Sequence, residues 1–411
     1  MLEPAKVDLV DRFAPGELAF IGDPYPVYSE LRELAPIYYH EPTNHWLVSR
    51  HEDVDGLLRD RRLGRTYLHV ASHAEMGHPE PPPAQDPFWW LVNNGILDME
   101  PPRHTRVRRL VSKAFTPRTV DRLRPTIGEI TGRLVDRVRG AGAFDLIAEI
   151  AEPLPVTVIA ELLGVPEADR HLLRPWSAEI CLMYELNPSE EYQRRAATAS
   201  TEFTRYLRAL AAERRANPGE DLISELTQVV DEGDRLTEGE LIGTCVLLLN
   251  AGHEATVNST GLGWYSLFRN PAQLADLRAD PGALLPTAVE ELLRFDTPLQ
   301  MFERWVLEDV EIHGERIPRG AELGLLYGSA NRDPAVFERP DELDLARRPN
   351  EHVTFGAGIH FCLGAPLARV ELQTSFGTIL RRLPRLELAE EPAWKPNYII
   401  RGLESLLVHA G

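Results

Sequence analysis

The sequence predicts a mainly helical chain that carries a small β-rich lobe. Three observations support this. Between Thr116 and Asn217 the apolar residues recur at helical spacing, with short spacers such as AGAF and GVPEAD. The run TEGELIGTCVLLLNAGHEATVNSTGLGWYSLFRN reads as one long helix over about 237–270. After Val289 short strand-like pieces alternate with turns rich in Pro and Asp.

In chain order, DPYPVYSELRELAP sets Tyr28, Leu31 and Leu34 at helical spacing between prolines. IYYH and HWLVS read as strands around the turn EPTN, and HEDVDGLLRD is helical again. From Arg65 to Leu97 the chain reads as loop, with a Pro-rich patch HPEPPPAQDP and an apolar knot PFWWLVNNGIL. Thr237 and Glu240 have capping-box spacing at the start of the long helix, and Pro271 ends it. That helix spans on the order of 50 Å at about 1.5 Å per residue. Its centre is too polar for a membrane span, so it reads as a buried central helix. VEIHGERIPRG and AELGLLYGSA supply strands, a further helix follows Cys362, and RGLESLLVHAG closes a strand-rich tail. No internal repeat is visible.

Composition narrows the function classes. The chain is 43% hydrophobic and 26% charged, an ordinary globular balance. Its 44 Lys and Arg against 63 Asp and Glu give a net charge of -19. So acidic a body argues against nonspecific binding to nucleic acid or anionic membranes. Three cysteines, Cys181, Cys245 and Cys362, are too few and too odd for a disulfide framework, which fits a reducing compartment. The first residues, MLEPAKVDLVDRFAPGELAF, are charged and broken by Pro and Gly, unlike a signal peptide or anchor. The expected location is the cytoplasm.

The segment FGAGIHFCLGAPLARVEL, residues 355–372, carries the chemistry. Gly356 and Gly358 permit a tight turn before Cys362, and Gly364 and Pro366 suit the first turn of a helix after it. A helix N-terminus and backbone N–H donors lower a thiol pKa, so Cys362 is expected as a thiolate. His360 and Cys362 give only H-x-C, with no second pair at zinc spacing. A single thiolate therefore suggests one axial metal ligand.

This segment resembles the haem-binding signature of the cytochrome P450 superfamily, with Phe355, Gly358, His360, Cys362 and Gly364 at the matching places. The resemblance runs from DPYPVY to RGLESLLV. It implies the cytochrome P450 fold as one domain over 1–411, with a haem-ligand loop at 355–364. It implies haem b, its iron held by the Cys362 thiolate, and Phe355 shielding the sulfur beside Gly356. Glu291 and Arg294 match the family's E-x-x-R pair, with Arg347 as third member from the loop NRDPAVFERPDELDLARRPNEH. Asn331, Arg332, Asp333, Pro334, Phe337 and Pro340 also fit that loop. His104, Arg108, Arg304 and His360 match contacts to the haem propionates.

The function implied is O2-dependent oxidation of a hydrophobic small molecule by a soluble bacterial member, with electrons from an acidic ferredoxin. Peroxide-driven or oxidative-coupling chemistry, or ligand binding without turnover, remain alternatives. The cluster Arg103, Arg106, Arg109 and Lys113 is the expected ferredoxin contact. The substrate pocket is expected from Phe88, Trp89, Trp90, Met183, Leu248, Ala251, Leu299, Met301 and Ile399. In AGHEATVN, Ala251 and Gly252 open room beside the iron and loosen the helical ladder. Glu254 matches the family's acid, but Ala255 stands where a threonine is usual. Thr256 follows about 100° around the helix. Glu254 is expected to deliver protons through water, with Thr256 or a substrate hydroxyl completing the relay.

Overall fold

A computed structural model describes residue 9 and residues 11–411 of the chain. Residues 1–8 and 10, on which the reading of the leading segment partly rests, lie outside the described residues.

The central helix is continuous over Glu238–Arg269 and most of it is buried. Its start is the expected capping box. Thr237 Oγ1 accepts from the Glu240 N–H at 3.2 Å, and Glu240 accepts from the Thr237 N–H at 3.0 Å. No break interrupts its ladder near Ala251, contrary to expectation. The Ser259 hydroxyl donates to the Ala255 carbonyl at 2.7 Å and the Thr260 hydroxyl to the Thr256 carbonyl at 2.9 Å, so these two side chains bond back onto the helix without opening it. Farther along, Trp264 stacks on Phe376 of the helix Ala365–Arg382, with centroids 5.0 Å apart. This contact packs the central helix against the helix that follows Cys362.

Among the described residues, ten short strands form three sheets. In chain order they are β1 Ile37–His40, β2 His45–Val48, β3 Leu63–Gly64, β4 Ala143–Asp145, β5 Phe302–Val306, β6 Val310–Ile312, β7 Glu315–Ile317, β8 Glu322–Leu325, β9 Glu387–Leu388 and β10 Leu407–His409. The largest sheet runs β1-β2-β8-β5-β3. Strand β2 pairs parallel with β8, and β8 antiparallel with β5. One apolar cluster joins most of the helices, and two smaller clusters cover this sheet and the N-terminal helices.

Two local expectations change. The segment read as loop between Arg65 and Leu97 contains a helix, Asp86–Asn94, with Phe88 and Leu91 buried. Pro87 at its first turn is compatible with helix and does not break it. In the helix Tyr25–Leu34 the buried face is Val27, Tyr28 and Leu31, while Leu34 is exposed at its last position. Among the described residues, no helix is long and apolar enough to cross a membrane.

Replacing Thr237 by Ala removes one half of the capping box. We expect a loss of about 1 kcal/mol, seen as a lower urea midpoint at unchanged slope.

Candidate active site around Cys362

Cys362 sits between a short 3-10 turn, Gly358–His360, and the helix Ala365–Arg382. Its N–H donates to the Phe355 carbonyl at 2.9 Å, closing the loop on itself. Gly358 has φ +68, and a Cβ there would lie 2.5 Å from the Leu58 carbonyl oxygen. Both the backbone conformation and the space exclude larger residues. Cys181 and Cys245 are buried, whereas the Cys362 side chain keeps accessible surface.

Burial pushes the Cys362 thiol up, and this outweighs the Gly364 and Ala365 N–H groups and the Arg108 and Arg369 charges that pull it down. A cation at the sulfur would be needed to remove the proton.

The loop is anchored by a buried ion-pair network. Glu291 and Arg294 share one helix face and are fully buried. Arg294 donates to both Glu291 oxygens at 2.8 Å, and Arg347 donates to the same carboxylate at 3.0 and 3.1 Å. The Asp344 N–H and the Asn350 side chain complete its shell. Arg294 spends another arm on the carbonyls of Asn331 and Pro340. Asn331 in turn binds Thr354 and the Val353 N–H, immediately before Phe355. The three residues singled out from sequence do meet.

Glu290, beside Glu291, was not anticipated. It accepts from Arg369 at 2.7 Å through both oxygens and bonds His352 at 3.2 Å. Arg369 also lies 4.5 Å over the Phe355 ring. Burial raises the Glu290 carboxyl, but the His352 and Arg369 bonds and charges outweigh it and hold it at about 2.

His104, Arg108, Arg304 and His360 gather on the other side of the loop. Arg108 donates to the Phe361 carbonyl at 2.8 Å, one residue before Cys362. The His104 and His360 rings lie 4.5 Å apart. Arg304 is buried, its guanidinium 5.2 Å over Phe302, and burial lowers it to about 10. Burial likewise lowers His104 to about 4, and neither of its ring nitrogens has a partner. Among the described residues, Arg108 and Arg304 have no carboxylate within 4 Å. A buried cation such as Arg304 without an anion is costly, and with half-buried Arg108 beside the loop this set suits a ligand that brings its own carboxylates. His360 differs from expectation: its Nε2 is taken by Glu100 at 3.3 Å. Glu100 also accepts the Arg65 N–H at 2.6 Å, and Arg65 pairs with Asp98 at 3.0 Å. These three residues were missed because their partners lie far away in sequence.

The AGHEATVN segment shows an accessible stripe on an otherwise buried helix. Ala251 is exposed, and Leu247, Leu248, Ala255 and Ser259 are half-buried, while Leu249, Asn250 and His253 are buried. These accessible positions are four apart and share a face. Gly252 does not open this face. A Cβ there would meet Ile159 at 3.1 Å, so Gly252 admits the neighbouring helix Pro153–Leu163. Glu254 is largely buried, 3.6 Å from His253 Nδ1, which burial pushes down to about 4. Thr256 is buried, off the accessible stripe, which corrects its expected part in a relay.

Several pocket expectations also change. Phe88, with Val92 and Leu97, lines a small pocket of about 20 Å³ against Tyr184, Leu247 and Asn250. Trp89 donates to Gln85, and Met183 and Leu248 pack against the main core. Trp90 instead faces a surface groove beside Arg205 and Arg208. Met301 and Ile399 are buried in the N-terminal core, Met301 against Gly324. The alternation of the chain turns them away, while Leu299 stays half-buried, bridged to Ile400. The basic cluster is not free. Arg103 and Arg106 pair with Glu240, and Arg106 also with Asp234. Arg109 and Lys113 pair with Asp231. The acids brought close by the loop before the central helix neutralise it.

Because Glu290 is depressed in the folded protein, its contribution is present above the ordinary carboxylate value of 4.5 and is lost as pH falls from there towards about 2. We expect Glu290→Gln to flatten the fall of the denaturation midpoint between pH 4.5 and pH 2.

The cytochrome P450 family model matches residues 283–398. Cytochrome P450 107B1 of Saccharopolyspora erythraea is 42% identical over 96% of this chain and 96% of its own. The 6-deoxyerythronolide B hydroxylase of the same organism is 39% identical over 95% of this chain and 96% of its own. The solved structure of the bacillaene polyketide synthase cytochrome P450 PksS of Bacillus subtilis superposes with a TM-score of 0.88. It is 37% identical and covers 97% of this chain and all of its own.

Proposed function

Because the chain belongs to the cytochrome P450 family and so is a haem-dependent monooxygenase, we propose that it oxidises a hydrophobic small molecule carrying a hydroxyl near the oxidised carbon. The observation that carries the haem reading is the half-buried Cys362 with Arg108 beside it, and with Arg108, His104 and Arg304 all lacking an anionic partner among the described residues.

This donor set fits haem. Cys362 Sγ would hold the iron, and Arg108, Arg304 and His104 the two propionates. His360 is held by Glu100 and orients His104 beside it. When bound, haem supplies O2 activation, and a thiolate ligand pushes electron density to the iron. The chain's own part is positioning, exclusion of water and proton supply. The stripe Leu247, Leu248, Ala251 and Ala255 offers a small, apolar wall to a bulky substrate. Glu254 Oε1 passes a proton through water toward that wall. With Ala255 lacking a hydroxyl and Thr256 buried, a hydroxyl of the substrate completes the relay. Two relatives, a 6-deoxyerythronolide B hydroxylase and a polyketide biosynthesis cytochrome P450, favour a polyketide among such substrates. The proposed donor is an acidic ferredoxin. Contact through Arg103, Arg106, Arg109 and Lys113 would require it to compete with Asp231, Asp234 and Glu240. A single folded unit over 1–411 and a cytoplasmic location belong to the same reading.

Cys362→Ser is expected to lose the thiolate-type absorption of the reduced carbon-monoxide complex while retaining the fold by circular dichroism. Persistence of that band would remove Cys362 as ligand.

With a hydroxylated macrolactone, Glu254→Gln is expected to lower the product formed per reductant consumed. Ala255→Thr is expected to restore coupling for analogues that lack the hydroxyl. Unchanged coupling in Glu254→Gln would end the relay reading.

A further inference from the structure

Away from Cys362, three strands of the largest sheet bring together three side chains that the haem chemistry does not use. They are His45 of β2, Glu322 of β8 and Glu303 of β5. The register explains the meeting. Trp46 pairs with Leu323, which sets His45 beside Glu322, and Glu303 pairs with Gly324, two residues along the same face of β8. His45 Nε2 lies 3.5 Å from a Glu322 oxygen and 3.8 Å from a Glu303 oxygen, and all three donor atoms lie within 4.8 Å of one another.

Among the described residues, none of these atoms has a hydrogen-bond donor. His45 is 6% exposed, and its Nδ1–H is spent on the Thr43 carbonyl at 2.5 Å, since a carbonyl can only accept. That places a proton on Nδ1, so that the neutral ring presents its Nε2 lone pair to the two carboxylates. Nε2 is buried and has no hydrogen-bond partner. Among the described residues, no Lys or Arg reaches the Glu303 or Glu322 carboxylate within 4 Å. Arg65, the nearby cation, bonds Asp98 and the Glu303 backbone carbonyl instead. The rival arrangement, an imidazolium donating to the acids, needs a similar contraction from 3.5 and 3.8 Å and is the reading that stands if zinc does not bind.

We propose that His45, Glu303 and Glu322 form a binding site for a divalent first-row cation, zinc being the best fit. One imidazole nitrogen and two carboxylate oxygens are a zinc-type donor set, whereas calcium and magnesium favour more oxygen ligands. A tetrahedral zinc about 2.0–2.1 Å from each donor separates the donors by about 3.3 Å. The observed 3.5 and 3.8 Å need only a small contraction. Glu303 is 31% exposed, which gives the ion an entry path and leaves a fourth position for water. The cation staples β2, β8 and β5 and fixes the strand on which Arg304 follows Glu303, facing the other side of the sheet.

The test uses the tag-free, chelator-treated, haem-loaded full chain with zinc chloride as the probe. The expected result is one zinc per chain by calorimetric titration and metal analysis, with a raised thermal midpoint. Zinc-edge absorption should report nitrogen and oxygen ligands at about 2.0–2.1 Å and no sulfur. Glu303→Gln and Glu322→Gln keep the side-chain shape, and each is expected to weaken zinc by about 10-fold or more. The proposal is overturned by no stoichiometric zinc, by a sulfur shell, or by equal affinity in both variants. It is also overturned if both variants raise the midpoint without metal while zinc leaves the parent unmoved. That outcome would mean the acids share a proton instead.

Discussion

A single carboxylate, Glu291, organises the ligand loop. It lies at zero exposure and accepts from Arg294, Arg347, Asn350 and the Asp344 backbone. Burying charge is expensive, and such a network contributes less to stability than its bond count suggests. Its value is specificity. Every arm of Arg294 and Arg347 not spent on Glu291 reaches a backbone carbonyl between Asn331 and Glu342. A long stretch without regular structure is thereby held in one conformation. Its end delivers Thr354 and Phe355 to fixed positions, and the Cys362 N–H closes on the Phe355 carbonyl.

From that anchor the electrostatics divide into two kinds. Arg103, Arg106, Arg109 and Lys113 are satisfied within the chain, and so is Arg369, which acts on the thiol but is clasped by Glu290. Arg108 and Arg304 are not paired, although the chain has an excess of acids. His104 beside them is held neutral by burial. An acidic protein that leaves one buried and one half-buried guanidinium group without carboxylates has reserved them for anions from elsewhere. The central helix shows the same selectivity in apolar form. Most of it is buried, and in its middle leucine, alanine and serine form an accessible stripe through Leu247, Ala251, Ala255 and Ser259.

Much of this was legible in the linear sequence. The long helix and its capping box follow from Thr237, Glu240 and Pro271, because caps act within four residues. The loop at 355–364, the E-x-x-R pair and its third member Arg347 are local patterns with fixed spacing. Errors fell where a side chain's direction depends on packing. Trp90 turns outward, Met301 and Ile399 pack into the core, and Gly252 serves a neighbouring helix. Glu290, Glu100 and Arg65 were missed because each finds its partners tens or hundreds of residues away.

The sequence by itself determined the class of fold, the cysteine, the family and the substitution of Ala255 for the usual threonine, since all of these reside in residue identity and short-range spacing. Only the tertiary structure decided which charges stay unpaired, which face of the central helix is accessible, and that His45, Glu303 and Glu322 meet across three strands. The reason is physical. Desolvation and ion pairing depend on three-dimensional distance, and sheet register brings together residues that chain order separates.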